Sequence, residues 1–441
     1  MTGAERPAGR PTLADRDAPG LARSTPWRPT LAALLAVVLV ALVYSLVFPN
    51  LWYGEHDISD IGIYQYYAQQ MADGGMPYRD FPFEYPPIAA WLIALPGGSE
   101  SLAAYTGWFS LMTFLITAFT GALVALTAAR IWPRGAHAFA AAVLFAGGIA
   151  AVGAIVENRL DIAVACVLTA AILALAHRWL AMAAAILGLG FALKLFPAVF
   201  LPLVLLLCPT WRRALWATAS FALAAVAPFL PYLLSSPQGV WQVFTYHLER
   251  PLQIESVLAA PLLLARTWEL SWVDVITSYG SQGLQGTGTV AAATLSSVLT
   301  AAAVATVYAL LLRHRQLLLA SPRLLPLAGL ALVLALLAFA KVLSPQFFVW
   351  LLPMVALAAL EEPLLAALAY GVLLLTQINF PAKYWGLVYV EPSAVYWLAA
   401  RDLLLVLTFL AALWRLVRQP EYDRWSAPLT NVGEPRGRLT S

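Results

Sequence analysis

Apolar runs of membrane-spanning length, separated by short polar stretches, recur from residue 31 to residue 417. The first is Leu31 to Phe48. Further runs that span or nearly span a bilayer cover about 102–128, 136–155, 160–177, 213–234, 290–312, 322–341, 346–360, 363–380 and 396–417. A helix of roughly 20 apolar residues crosses the hydrocarbon core, so each run predicts a transmembrane helix. The stretch 180–208 is too long for one upright helix and is interrupted by Lys194-Leu-Phe-Pro197, which predicts two short helices meeting at Lys194. The pattern as a whole predicts an all-α polytopic bundle of about twelve spans.

Three substantial segments interrupt the runs, at about 49–101, 235–289 and 380–395. Ile88 to Leu95 and Val257 to Leu264 are apolar but too short to span, and they predict helices lying at the interface or dipping into it. Residues 1–29 are rich in Pro, Arg, Gly and Ala without an apolar face and read as a disordered tail, and residues 418–441 form a second tail. The run to Phe48 is followed by Pro-Asn-Leu-Trp rather than a small-residue cleavage site, so it reads as a retained helix opening one transmembrane domain over 30–417. The cluster Gly283-Leu-Gln-Gly-Thr-Gly288 follows no evident strand, opens no evident helix and reads as a flexible loop.

Composition narrows the function classes. With 61% apolar and 11% charged residues over 441 positions, the chain is excluded from the soluble enzymes. The net charge of +3 is spread over loops and tails, which sets nucleic acid aside. Cys166 and Cys208 lie in apolar runs, so neither a disulfide framework nor a cysteine-held metal is expected. Of the 26 basic residues, 18 fall in the N-terminal tail, in the short loops that carry residues such as Arg130, Arg178 and Arg313, and at the C-terminal end from Arg415 on. The positive-inside rule makes that side the cytoplasm, with both termini inside a plasma membrane.

Ionisable residues near a bilayer are costly, and here they gather at the outer mouth: Glu55-His56-Asp57-Ile-Ser-Asp60, Glu84-Tyr85-Pro-Pro87, Glu157-Asn-Arg159-Leu-Asp161, Lys194, and His247-Leu-Glu-Arg250 running to Gln253-Ile-Glu255. Asp57 and Asp60 are three apart, which on a helix places both on one face. Asp60 suits a general base that accepts a proton from a hydroxyl; the alternative, that one of the two aspartates is the N-cap of a helix beginning near Ile61, weighs less for Asp60 and more for Asp57. Lys194, Arg250 and Arg159 are cations of the kind that grips phosphate, with His247 beside Arg250. The structural alternatives are snorkelling for Lys194 and an ion pair with Glu157 or Asp161 for Arg159. Aromatic residues crowd the first segment from Trp52 to Tyr85, and for most of them an interface belt is the expected role. Pro86 and Pro87 fix the backbone that presents Glu84 and Tyr85.

These residues resemble a known family. Asp60-Ile-Gly-Ile-Tyr64, Gly75-Met-Pro-Tyr78-Arg-Asp-Phe81 and Glu84-Tyr-Pro-Pro87 resemble the first outer loop of polyprenyl-phosphate-sugar dependent glycosyltransferases of the GT-C fold, in particular glycosyltransferase family 87, which includes mycobacterial mannosyltransferases. Glu157-Asn-Arg-Leu-Asp161, Lys194-Leu-Phe-Pro197, Arg250-Pro-Leu-Gln-Ile-Glu255-Ser and Ser344-Pro-Gln346-Phe-Phe-Val-Trp350 look similar to that family too. The resemblance implies a GT-C type bundle with outer-face interfacial helices and Asp60 as candidate base. It also implies substrate contacts at Asp57, Glu84, Tyr85, Arg159, Asp161, Lys194, His247, Arg250, Glu255 and Gln346. The implied reaction moves a hexose, with mannose carried over by analogy, from a polyprenyl-phosphate donor to a glycolipid or polysaccharide acceptor, with inversion. No cofactor is expected. Fixed cations can neutralise the phosphate without a metal, although the carboxylates of Asp57 and Asp60 could hold a divalent ion. The alternatives are a multi-spanning transporter or flippase, against which the one-sided polar clusters count, and an inactive relative that only binds lipid-linked sugar.

Overall fold

The computed structural model describes residues 28–51, 59–99, 101–133 and 135–426. Helix α1 (Arg28–Leu42) runs on through a wider turn to Asn50, and the first outer segment holds α2 (Ile61–Ala72) and α3 (Pro87–Ala94). Then come α4 (Leu102–Ile131), α5 (Gly135–Val152), α6 (Asp161–Ala176), α7 (Leu180–Leu193), α8 (Leu201–Leu206) and α9 (Trp211–Val226). The second outer segment contains α10 (Leu230–Ser235), α11 (Pro237–Glu249), α12 (Ala259–Thr267) and a hairpin of β1 (Val273–Ser278) with β2 (Ser281–Gly286). The chain closes with α13 (Thr289–Arg313), α14 (Arg315–Ala320), α15 (Leu324–Phe339), α16 (Leu351–Ala358), α17 (Pro363–Gln377), α18 (Tyr384–Val388) and α19 (Pro392–Ser426).

Among the described residues, seven helical segments are long and apolar enough to cross a membrane: Arg28–Asn50, Leu102–Ile131, Gly135–Val152, Trp211–Ser235, Thr289–Arg313, Pro363–Ala382 and Pro392–Gln419. The number is seven where the apolar runs suggested about twelve. Five of those runs fold instead as shorter apolar helices: Asp161–Ala176, Leu180–Leu193, Phe196–Leu206, Leu324–Phe339 and Pro345–Ala358. Burial explains the difference, because an apolar run also arises from a helix packed on all sides within the bundle. Nearly every residue of α15 is buried, whereas α9 and α13 expose Leu, Val and Trp outward and lie at the periphery.

Local chemistry sets the boundaries near the outer mouth. Pro87 and Pro237 open α3 and α11, where a missing N–H costs nothing. Helix α7 stops at Lys194, whose backbone is extended, and Pro197 follows in a short 3-10 turn, so the two-helix expectation holds. Gly188 lets α7 lie directly on α9, since a Cβ there would sit 2.4 Å from the Phe221 carbonyl oxygen.

Two expectations need correction. The cluster at Gly283 to Gly288 is not a free loop: Gly283 to Gly286 lies in β2, paired with Val273 to Ile276, and Gly288 precedes α13 directly. Gly283 is required because its Cβ would stand 2.5 Å from the Pro251 ring. The aromatic residues of the first segment are not mainly a belt, for Tyr64, Tyr67, Tyr78, Phe81 and Phe83 are buried, and Tyr85 partly so. They pack on one another, as in the edge-on contact of Tyr67 with Phe83 at 4.9 Å between centroids, and form this segment's own core. Trp52 and Tyr53 lie outside the described residues.

Candidate active site

Asp60 occupies the N-cap position of α2 but makes no side-chain capping bond there. The Ser59 hydroxyl takes that role, accepting from the Ile61 N–H at 3.2 Å. The Asp60 carboxylate turns instead to Arg159, with Oδ2 3.0 Å from the guanidinium Nε. Arg159 is buried and is steadied by Asn158, to whose backbone and side-chain oxygens it donates at 3.1 Å. Its ion pair is thus with Asp60 rather than with the expected Glu157 or Asp161. About a third of the Asp60 side chain, 34%, remains exposed, which leaves the carboxylate accessible from the cavity. Asp57 lies outside the described residues.

Lys194 projects from the broken end of α7 and donates to Asp161 Oδ1 at 2.6 Å. The same oxygen accepts the Trp350 indole N–H at 2.7 Å. The ammonium also lies over the rings of Phe347, at 4.6 Å, and Trp350, at 5.3 Å. Phe196 and Phe347 each stack on Trp350, at 3.8 and 4.5 Å between centroids, so an aromatic wall carries a fixed cation.

Arg250 follows the C-terminus of α11 and donates to the Ser281 hydroxyl at 2.7 Å. Unlike Arg159 and Lys194, it forms no ion pair among the described residues. Burial lowers the guanidinium pKa, and nearby Tyr246, Tyr85, Glu84 and Asp60 only partly offset that loss of hydration. His247 is pushed down to about 4, first by burial and then by the Arg250 and Lys194 charges, so its imidazole is neutral at pH 7. Burial raises the Glu84 carboxyl above the usual range, while the Tyr67 hydroxyl donates to Glu84 Oε2 at 2.5 Å. The Tyr78 hydroxyl donates to the Tyr85 carbonyl at 2.6 Å and locks the segment carrying both residues.

All these groups sit at element ends on the same side of the bundle: before α2, α3 and α6, and after α7, α11, α15 and α17. They converge on one cavity of about 630 Å³, lined by Asp60, Glu84, Tyr85, Arg159, Lys194, His247, Arg250, Glu255 and Gln346. Asp161 stands behind Lys194 and lines a small adjoining void. Nine of the candidate side chains, scattered over almost 300 residues of sequence, thus share one wall. The cavity also recruits residues that sequence reasoning passed over as contacts: Phe196, Tyr246, the hairpin turn Tyr279 to Gln282, Phe347, Trp350, Tyr384 and Trp385. A β-branched run, Val273 to Thr277, followed by a turn at Tyr279-Gly280 was the signal for the hairpin; the rings carried none, because at helical spacing they read as core.

The arrangement offers a carboxylate held by a cation, a further cation with no carboxylate partner among the described residues, neutral hydrogen-bonding groups and aromatic faces. Among the described residues no three His, Cys, Asp or Glu side chains converge as a metal would need. Residues 83–321 match the sequence model described as Glycosyltransferase family 87, over half of the chain. The match includes Glu84, Arg159, Lys194, Arg250 and Glu255, with Asp60 and Gln346 outside it. No curated protein matches the chain.

Proposed function

From a chain that belongs to glycosyltransferase family 87, we propose an integral-membrane hexosyltransferase that moves a sugar, mannose by analogy, from a polyprenyl phosphate to a glycolipid or polysaccharide acceptor at the outer face of the plasma membrane. The observation that carries it is the shared cavity of Asp60, Arg159, Lys194 and Arg250. An outward site has no access to cytoplasmic nucleotide sugars, whereas a lipid-borne sugar diffuses to it in the bilayer. The charge placement that supports this orientation puts both termini in the cytoplasm. In the full arrangement the five shorter apolar helices complete the bundle toward twelve spans; of the expected tails 1–29 and 418–441, residues 28–29 and 418–426 are helical, in α1 and α19.

In the reaction the acceptor hydroxyl oxygen attacks the anomeric carbon as the bond from that carbon to the phosphate oxygen breaks. Asp60 takes the hydroxyl proton, and the electron pair leaves with polyprenyl phosphate, which gains one negative charge. Arg250, which has no carboxylate partner among the described residues, and Lys194 face that growing charge, where preorganised cations lower the barrier. Arg159 orients Asp60, and Glu84, Tyr85, His247, Glu255 and Gln346 contact the sugars. Phosphate leaves without needing a proton, so one base suffices and the anomeric centre inverts; a β-linked donor gives an α-linked product.

The test is Asp60→Asn in membranes supplied with radiolabelled polyprenyl-phosphate mannose. Loss of a general base costs on the order of 10²- to 10⁴-fold in rate. No capping bond is lost with it, because Ser59 supplies that bond, but the buried Arg159 loses its counter-charge and keeps only an amide oxygen as acceptor, so transfer is normalised to the amount of folded protein recovered. Near-normal turnover of Asp60→Asn would remove Asp60 from the role of base. Wild-type activity persists in excess chelator; complete loss restored only by magnesium or manganese would make Asp60 a metal ligand.

A further inference from the structure

Glu255, one of the sugar contacts, is a buried acid whose direction of hydrogen bonding the reaction as drawn leaves undefined. It lies in the turn between α11 and α12, with only 1% of its surface exposed, yet it lines the cavity. Its Oε1 has no hydrogen-bond partner, and the carboxyl forms no ion pair among the described residues. The nearest cation, Arg401 of α19, is already engaged. Arg401 Nε pairs with Asp402 Oδ1 at 2.7 Å, its Nη2 donates to the Glu255 backbone carbonyl at 2.6 Å, and its guanidinium lies over the Phe348 ring. The charged and titratable groups facing Glu255 are therefore Arg401 and Asp402 from α19 and Tyr384 from α18. Arg401 and Asp402 cancel. An ionised Glu255 would add a second negative charge, without a cation of its own among the described residues, in a low-dielectric wall that disfavours it.

We propose that Glu255 is a proton-bearing carboxyl that donates a hydrogen bond to a hydroxyl oxygen of the hexose in the cavity, with Arg401 and Asp402 as positioning residues. A neutral acid is a donor as well as an acceptor, which a carboxylate is not, and it does not repel the lipid phosphate. Burial, reinforced by Asp402 and opposed by Arg401, pushes the group up to about 8, so the donor persists through neutral pH. The ligand chemistry is an uncharged hydroxyl-bearing ring, supplied by either the donor or the acceptor sugar. The inference rests on the lipid-phosphate transferase reading and gives it a specificity determinant.

Two measurements on the purified full-length protein test it. Infrared difference spectra of wild type minus Glu255→Gln at neutral pH, without substrate, show a protonated-carboxyl C=O band that fades above about pH 8. Transfer from radiolabelled polyprenyl-phosphate mannose is then followed from about pH 6 to about pH 9. Glu255→Ala raises KM several-fold, the loss of about one hydrogen bond, for whichever substrate carries the contacted sugar, and separate donor and acceptor titrations say which. Glu255→Gln, which keeps an N–H donor, recovers most of that loss and lacks the wild type's decline above pH 8. Absence of the band, or equal impairment of the Gln and Ala variants with unchanged pH profiles, overturns the inference while wild-type transfer leaves the lipid-phosphate reading standing. A band in a wild-type protein unable to use the lipid donor overturns both.

Discussion

Asp60 and Arg250 separate readings that residue type alone leaves open. An aspartate just before a helix suits a cap, yet the Asp60 carboxylate is turned to Arg159 and the cap falls to Ser59. Lys194 and Arg250 look equivalent in sequence, but Lys194 is neutralised by Asp161, while Arg250, among the described residues, is held by the Ser281 hydroxyl and the Tyr246 ring and by no carboxylate. On the proposed reaction Arg250 is therefore expected to have the larger role at the phosphate. Arg250→Ala lowers kcat/KM for the lipid donor by about 10- to 100-fold, as loss of one charge-assisted contact implies, and Arg250→Lys recovers part of it. Steady-state kinetics checks this; an Arg250→Ala protein with unchanged donor kinetics would move the phosphate to Arg159 and Lys194. The polar half of the site was legible because a charge beside an apolar run demands an explanation. The aromatic half was not, since Phe196, Phe347 and Trp350 look like ordinary core until Lys194 is seen lying over two of them.

At the level of elements, the hairpin explains how Arg250 is held. Tyr279 and Gly280, both at positive φ, make the tight turn that carries Ser281 to Arg250. The Tyr246 hydroxyl donates to the Tyr279 carbonyl and ties α11 to the turn. Behind it Gly283 presses on Pro251, next to Arg250 in the chain, with backbone bonds from Ile254 to Gln282 and from Leu284 to Leu252. Gly283→Ala must displace Pro251 or the strand, so it lowers transfer at least about tenfold with the helix content of the protein intact, as read by circular dichroism and the same activity assay. Wild-type activity in Gly283→Ala would show that the hairpin does not position Arg250. The helices were legible from apolar runs and the break at Lys194 from its proline. The hairpin was not, because Ser281 to Gly286 offers Gly and Gln where a half-buried strand usually alternates apolar residues.

Over the whole molecule, helix ends scattered in sequence meet because packed helices return the chain repeatedly to one mouth. The apolar pattern sufficed for a polytopic bundle, but it does not separate the seven long helices from shorter buried ones such as α15 among the described residues. The charge pattern predicts that this mouth faces outward. With Cys166 and Cys208 replaced, the exposed position 79 carrying Arg79→Cys reacts with an impermeant maleimide added to intact cells; labelling only after lysis would place the site inside. The central claim is transfer from a lipid phosphate through this cavity. Its most direct test gives the purified protein, in liposomes with a glycolipid acceptor, either radiolabelled polyprenyl-phosphate mannose or the corresponding nucleotide sugar. The account predicts labelled glycolipid from the lipid donor alone, and none with Asp60→Asn. Equal labelling from the nucleotide sugar, or labelling that Asp60→Asn leaves intact, would contradict it.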